Sequence, residues 1–402
     1  MKIDVFNEIQ DPRPWGADHE HVRFTQALEQ AELADRLGYG CWWQVEHHGA
    51  EQFSLSSAPE LMLAAISQRT ERIRLGHAAV LAPGTINHPV RIAERAATLD
   101  HLSGGRLELG LTRSTPPEWR LFGVDPETAA AQTAEAFELV PGLWMSERAE
   151  YEGRYYRVRD VPILPKPYQR PHPPLWQAAT RPASFEDAGR RGVGVLGTTL
   201  WEPLERVRRM VRLYRAAAAQ CTDPVGAFVN DRIAFFTFVH CAETDERAVF
   251  EAAAAAAAWY TVTALTFFEA AAAFELNAAR QQQLMQDPAG GGLAGQFHRD
   301  EAASGTGPNS AQIAVGRIMR GESVPDAELF EALSEQGSLI VGSPETCRAK
   351  IRAYADLGID RLMCFHQVGA IPHERVLESM RLIGGLIPEF DRPEFDRPEF
   401  DR

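Results

Sequence analysis

Cysteine is scarce in this chain. Its five thiols, Cys41, Cys221, Cys241, Cys347 and Cys364, are odd in number and never spaced Cys-x-x-Cys. That argues against a disulfide framework or a cysteine zinc site and fits a reducing cytoplasm. An excess of positive charge is also missing: 41 Lys and Arg stand against 55 Asp and Glu, a formal net charge of -14. Nucleic acid and anionic membranes repel such a surface. Arg206, Arg208, Arg209, Arg212 and Arg215 do cluster, but at the spacing of a solvated helix face. No apolar run reaches membrane-spanning length, and the opening "MKIDVFNEIQ" alternates like a strand rather than presenting a basic segment and then an apolar one. A soluble cytoplasmic protein is expected, with neither nucleic acid nor membrane as partner. No Gly-x-Gly-x-x-Gly turn follows the first strand, which disfavours a dinucleotide fold.

What is present is a rhythm. Short apolar runs at 2–7, 39–45, 73–81, 106–111, 174–180, 193–197, 232–241 and 361–365 read as strands, and longer amphipathic stretches between them read as helices. Eight such repeats predict an α/β fold, a single (β/α)8 TIM barrel over residues 1–387 with an insertion before the last strand. The insertion spans 261–337, and its glycine-rich part from Gly290 to Gly307 reads either as a mobile lid or as a tolerated surface insertion. Residues 151–174, rich in aromatics and prolines, read as an extended excursion. Residues 388–402 repeat "PEFDR" three times, and a proline every fifth residue predicts a disordered tail.

In such barrels the chemistry sits at the carboxyl ends of the strands. The second strand exits into Glu46-His47-His48. Neighbouring residues of an extended chain point to opposite sides, and no His-x-x-Glu spacing supplies further ligands, so a general base or hydrogen-bonding role suits one histidine better than a shared metal does. The fourth and fifth exits carry Arg113, Thr180, Arg181 and Ser184. A forked guanidinium, two hydroxyls and the start of the helix near Pro182 suit a phosphate; the same residues also serve as an ordinary helix cap and a surface ion pair.

With these residues in place, the chain resembles the flavin-dependent luciferase-like monooxygenases, and among them the α subunit of bacterial luciferase. The resemblance rests on an ordered series, "GYGCWWQVEHH", "LGHAAVLAPGTINHPVRIAERAATLDHLSGGR", "LELGLTRSTPPEWRLFGVD", "WYTVTALTFF" and "GSPETCRAKIRAYADLGIDRLMCF", and covers nearly the whole chain. It implies a barrel that binds FMN as FMNH2 and uses O2 through a flavin C4a-(hydro)peroxide to oxidise a bulky or lipophilic organic substrate, in secondary metabolism. It also implies a separate NAD(P)H:flavin reductase as partner and a homodimer built through the second and third helices. His47 would be the catalytic residue beside the flavin ring. Ala78 and Ala79 would be the flavin-contacting pair whose peptide bond is cis in luciferase, and Arg113, Thr180, Arg181 and Ser184 would surround the phosphate.

The chain also departs from that pattern. Ala130 stands where luciferase has a second phosphate arginine, Thr180-Arg181 replaces a Glu-Ser pair, and Thr112 replaces a reactive cysteine. Light emission is therefore not implied. Two other readings stay open: a deazaflavin (F420)-dependent oxidoreductase on the same fold, and a non-catalytic flavoprotein or partner subunit.

Overall fold

A computed structural model of the chain describes residues 1–268 and 309–391. Eight parallel strands close into a ring: β1 (Lys2–Asn7), β2 (Cys41–Gln44), β3 (Arg74–Leu81), β4 (Leu107–Thr112), β7 (Leu175–Ala178), β8 (Gly194–Thr198), β9 (Ile233–Cys241) and β11 (Arg361–Phe365). The ring order is β1, β2, β3, β4, β7, β8, β9, β11, and closure comes from β8 pairing with β9 and β11 pairing with β1. Between the strands run α1 (His19–Leu37), α2 (Pro59–Ser67), α3 (Pro89–Leu102), α4 (Pro116–Phe122), α5 (Pro126–Met145), α6 (Pro182–Arg191) and α7 (Leu204–Ala218). This is the predicted TIM barrel.

Local sequence explains where the helices begin. Pro59, Pro89, Pro116, Pro126 and Pro182 each open a helix in its first turn, where the missing N–H costs nothing because that donor has no intrahelical acceptor. Gly38 ends α1 at a left-handed φ of 86° that a side chain would oppose.

The amino-terminal half of the barrel is plugged. Trp43 and Trp176 meet edge to face at 5.2 Å, and their register partners on the adjacent strands are the glycines Gly76 and Gly194. A Cβ on Gly76 would lie 2.0 Å from the Trp43 ring, and one on Gly194 would lie 2.5 Å from the Trp176 ring. The two indoles donate to buried carboxylates, Trp43 Nε1 to Asp4 Oδ2 at 2.8 Å and Trp176 Nε1 to Glu108 Oε2 at 2.7 Å. Arg361 Nη1 grips both oxygens of Asp4, at 3.0 and 2.9 Å, and Arg74 Nε donates to Glu108 Oε1 at 2.5 Å. Large rings and paired charges thus fill one end. Among the described residues, a cavity opens at the other end.

Several elements escaped the sequence pattern. The stretch expected as an extended excursion begins with an antiparallel hairpin, β5 (Ala149–Glu152) and β6 (Arg157–Val161). After β9 the expected helix is present, divided into α8 (Asp245–Ala248), a π-turn at Val249–Ala253, and α9 (Ala254–Phe267), which enters the expected insertion. Further along that insertion lie α10 (Ser310–Met319) and α11 (Asp326–Ser334), and β10 (Ile340–Gly342) follows, paired with the end of β9. The expected lid, Gly290 to Gly307, lies outside the described residues. The barrel finishes with α12 (Pro344–Asp356), β11, α13 (His373–Gly384) and α14 (Ile387–Phe390).

That last helix corrects the expected boundary of the tail. In the first repeat, Phe390 is buried, Glu389 receives Arg348 Nε at 2.9 Å, and Lys2 pairs with Asp391 at 2.5 Å. A buried aromatic flanked by two ion pairs holds residues 388–391 in place despite the proline. Among the described residues no helix is long and apolar enough to cross a membrane.

The plug generates a stability prediction. Arg361→Met leaves the Asp4 carboxylate buried without its cation and is expected to cost about 3–5 kcal/mol. Replacing both as Asp4→Asn with Arg361→Met removes the orphaned charge, keeps an acceptor for Trp43 Nε1 and should recover much of that loss. Urea unfolding of the three proteins checks this, and a single-mutant cost under about 1 kcal/mol would contradict the assigned role of the pair.

Candidate active site

The carboxyl ends of the strands surround a cavity of about 420 Å³, inside the range of about 300–1,000 Å³ that small-molecule sites occupy. His47, Ala78, Ala79, Arg113, Thr180, Arg181 and Ser184, the residues singled out from the sequence, all line it. The Ala78–Ala79 peptide bond is cis. Opposite it across the β3–β4 pairing, Gly110 has no room for a side chain: a Cβ there would meet the His77 carbonyl oxygen at 2.6 Å.

His47 and His48 point to different sides, as their adjacency in an extended segment requires. His47 Nδ1 lies 3.0 Å from Glu118 Oε1, while His48 Nε2 lies 3.2 Å from Glu46 Oε1. Phe53, Phe267 and Phe268 surround the His47 ring, with centroids at 5.4, 5.2 and 6.0 Å. Glu118 itself is fully enclosed. Its Oε1 also accepts the His48 backbone N–H at 3.3 Å, and its Oε2 accepts the Ser114 hydroxyl at 2.6 Å, the Thr115 hydroxyl at 2.8 Å and the Thr115 N–H at 3.1 Å.

These contacts set the charges. Burial opposes a charged His47, but the Glu118 carboxylate, helped by Glu8 and Glu46, outweighs it and holds the imidazole above its ordinary pKa. Burial likewise pushes the Glu118 carboxyl up, yet His47, Ser114 and Thr115 pull it further down, below the usual carboxylate value. Glu46 follows the same logic more strongly: despite burial, His48, His77 and Asn87 bring it to about 2. Its Oε2 accepts the Leu81 N–H at 3.2 Å and its Oε1 accepts Asn87 Nδ2 at 2.8 Å, so Glu46 ties the second strand exit to the third.

The far wall is cationic. Arg113 leaves β4 just before Ser114, whose φ of 67° is a left-handed conformation rarely adopted by residues other than glycine and asparagine. Thr180, Arg181 and Ser184 stand at the start of α6. Ala130 lines the same wall, so the alanine found by counting in the sequence does face the cavity. Sequence reasoning missed a further cation: Arg191 also lines the cavity, with its Nε 2.9 Å from Asp187 Oδ2 and its guanidinium over the Phe137 ring. The signal was readable, because residues 184, 187 and 191 share one helix face and helical side chains lean toward the N-terminus. Glu118 was missed in the same way, although Thr115-Pro-Pro-Glu118 is a capping-box pattern.

The His47–Glu118 pair makes a pH prediction. His47 has a raised folded pKa, so its contribution is complete below its ordinary value of 6.5 and fades as pH rises through the folded one. Glu118 has a lowered folded pKa, so its contribution is complete above 4.5 and fades as pH falls through the folded value. The stability gap between the native chain and Glu118→Gln should therefore be widest between pH 4.5 and 6.5 and narrow on either side. Thermal denaturation from about pH 4 to 9 tests this, and a gap that stays constant would show that no ion pair operates.

Comparison with known proteins agrees with this geometry. A profile of the luciferase-like monooxygenases matches residues 9–361. The chain is 32% identical over 203 residues to the oxygenase component of a flavin-dependent trigonelline monooxygenase from Acinetobacter baylyi, covering 50% of this chain and 55% of that one. It is 31% identical over 192 residues to an F420-dependent glucose-6-phosphate dehydrogenase from Microbacterium testaceum, covering 46% and 56%. The matched segments thus span little more than half of these relatives. Over nearly full length, the fold superposes on the crystal structure of the monooxygenase RslO1 from Streptomyces bottropensis with a TM-score of 0.71 at 27% identity, covering 97% of this chain and 100% of that one. By its barrel, its cavity and the profile match across most of its length, the chain belongs to the luciferase-like monooxygenase family.

Proposed function

We propose that this protein is the oxygenase component of a two-component, FMNH2-dependent monooxygenase that oxidises a bulky or lipophilic organic substrate in secondary metabolism. A separate NAD(P)H:flavin reductase supplies the reduced flavin, and the enzyme works as a cytoplasmic homodimer. The observation that carries this reading is that one cavity joins a cationic wall of Arg113, Arg181 and Arg191 to a buried, carboxylate-held histidine.

The donor set fits a flavin phosphate. Arg113 and Arg181 bring forked guanidinium groups, and Thr180 and Ser184 bring hydroxyls. When bound, reduced flavin supplies the electrons that activate O2. This chain's own part is to orient the ring, keep water out and manage a proton. Phe6, Phe53, Leu200, Trp201, Phe236 and Phe268 give the cavity its apolar lining. Glu118 occupies Nδ1 of His47, which fixes the tautomer and leaves Nε2 as the ring atom that exchanges a proton with the bound reactants.

The F420-dependent reading has the similarity to the glucose-6-phosphate dehydrogenase behind it and differs in needing no oxygen. Anaerobic titration with FMNH2 and with reduced F420, followed by rapid mixing with O2, separates them. The monooxygenase reading predicts tight FMNH2 binding and flavin reoxidation slower than that of free FMNH2. Preference for F420, or reoxidation as fast as in solution, would remove it, and binding without any protective effect would favour a non-catalytic flavoprotein. Arg113→Ala should weaken FMN binding about 10- to 100-fold. His47→Ala should keep FMN affinity but lower product formed per FMNH2 consumed by about 100-fold. Unchanged coupling in that variant would overturn the role given to His47.

A further inference from the structure

Glu8 is a buried carboxylate that the flavin reading does not use. It follows β1, is 2% exposed, and lines the cavity. In the ring of eight strands β1 stands four places from β7, so Glu8 lies across the barrel from Thr180 and Arg181 at the β7 exit. The cavity therefore carries charge at both ends of its apolar lining: Arg113, Arg181 and the Arg191–Asp187 pair on one side, and the Glu8 carboxylate on the other.

The position of Glu8 is built with care. Its Oε2 accepts Gln10 Nε2 at 2.8 Å, and Gln10 is fixed in turn because its Oε1 accepts the Gly369 N–H at 2.6 Å. Its Oε1 accepts the Tyr260 hydroxyl at 3.3 Å, and its backbone carbonyl accepts the Ser54 hydroxyl at 2.7 Å. The next residue, Ile9, holds a φ of 51°, an outlier for a β-branched side chain and the kind of strain that collects at functional sites. Two neutral donors leave lone pairs on both carboxylate oxygens. Beside them stands an aromatic wall: Tyr260 packs on Phe53 at 5.7 Å and on Trp201 at 6.1 Å, and Phe6 stacks on Phe236 at 4.0 Å.

We infer that Glu8 and this aromatic wall form a subsite for a positively charged nitrogen on the organic substrate. The inference rests on the proposed function for the presence of a substrate in this cavity and adds its chemical class. A carboxylate removed from water attracts a cation far more strongly than an exposed one does, and ring faces add cation–π attraction. Burial pushes the Glu8 carboxyl up to about 7, with His47, Gln10 and Tyr260 drawing it down, so near neutral pH it ionises readily when a cation arrives.

The test uses two flat probes of one shape, N-methylquinolinium and neutral 1-methylnaphthalene, measured by equilibrium dialysis without added flavin. Glu8→Gln should weaken N-methylquinolinium about tenfold or more and change 1-methylnaphthalene by less than about twofold. In the native chain, affinity for the cation should rise as pH increases from about 6 to 8, while that for the neutral probe stays level. His47, held above its ordinary pKa, also loses charge as pH rises and acts in the same direction, but Glu8→Gln retains it, so the part of the slope lost in the variant belongs to Glu8. Equal weakening of both probes, no binding of the cation, or a flat pH response in the native chain would each overturn the subsite. If Glu8→Gln does not fold, the pH slope that remains in His47→Ala, where Glu8 titrates without His47, decides. A protein that slows FMNH2 oxidation yet shows no cation selectivity keeps the monooxygenase reading and loses the subsite. One that selects the cation but leaves FMNH2 oxidation as fast as in solution keeps the subsite and loses the monooxygenase reading.

Discussion

A single enclosed carboxylate, Glu118, joins the two strand exits on which the site depends. One oxygen holds the His47 ring and the His48 backbone, and the other closes the amino end of α4 through Ser114 and Thr115. An ionised group so deep is tolerable only when nearly every lone pair is matched, and here five donors match it. The same contacts that solvate the charge also aim the histidine. Helix capping and site geometry are thus one interaction.

The barrel beneath follows a related rule on a larger scale. Trp43 and Trp176 fill its amino-terminal half, the glycines beside them leave space for the rings, and the indole N–H groups meet carboxylates already gripped by arginines. Polar groups are buried there only with partners. With that half filled, the cavity formed by the described residues lies at the carboxyl ends, where strand exits contribute side chains of opposite character. Arginines lie toward β4 and β7, while His47, Glu46 and Glu8 lie toward β1 and β2. A reactant bound in this field is oriented before any chemistry begins.

Much of this was legible in the sequence because the controlling signals are local. The alternation of apolar runs with amphipathic helices located all eight barrel strands, and strand exits led directly to His47, Arg113 and Ser184. What escaped depends on contacts far apart in the chain. The partnership of His47 with Glu118 spans 71 residues, and that of Glu8 with Tyr260 spans 252. Neither follows from periodicity. The β5–β6 hairpin was hidden by prolines and tyrosines that look like loop, and β10 is only three residues long. The first "PEFDR" copy was assigned to the tail because its proline weighs more in a sequence pattern than the pocket that receives Phe390.

The central claim is that one flavin spans this cavity, with its phosphate on the cationic wall and its reactive ring beside His47. A crystal structure of the chain with FMN tests it most directly. The account predicts phosphate oxygens within about 3.2 Å of Arg113 and Ser184, and the ring packed on Ala78 and Ala79 with His47 alongside. A phosphate bound elsewhere, or a ring held away from His47, would contradict it.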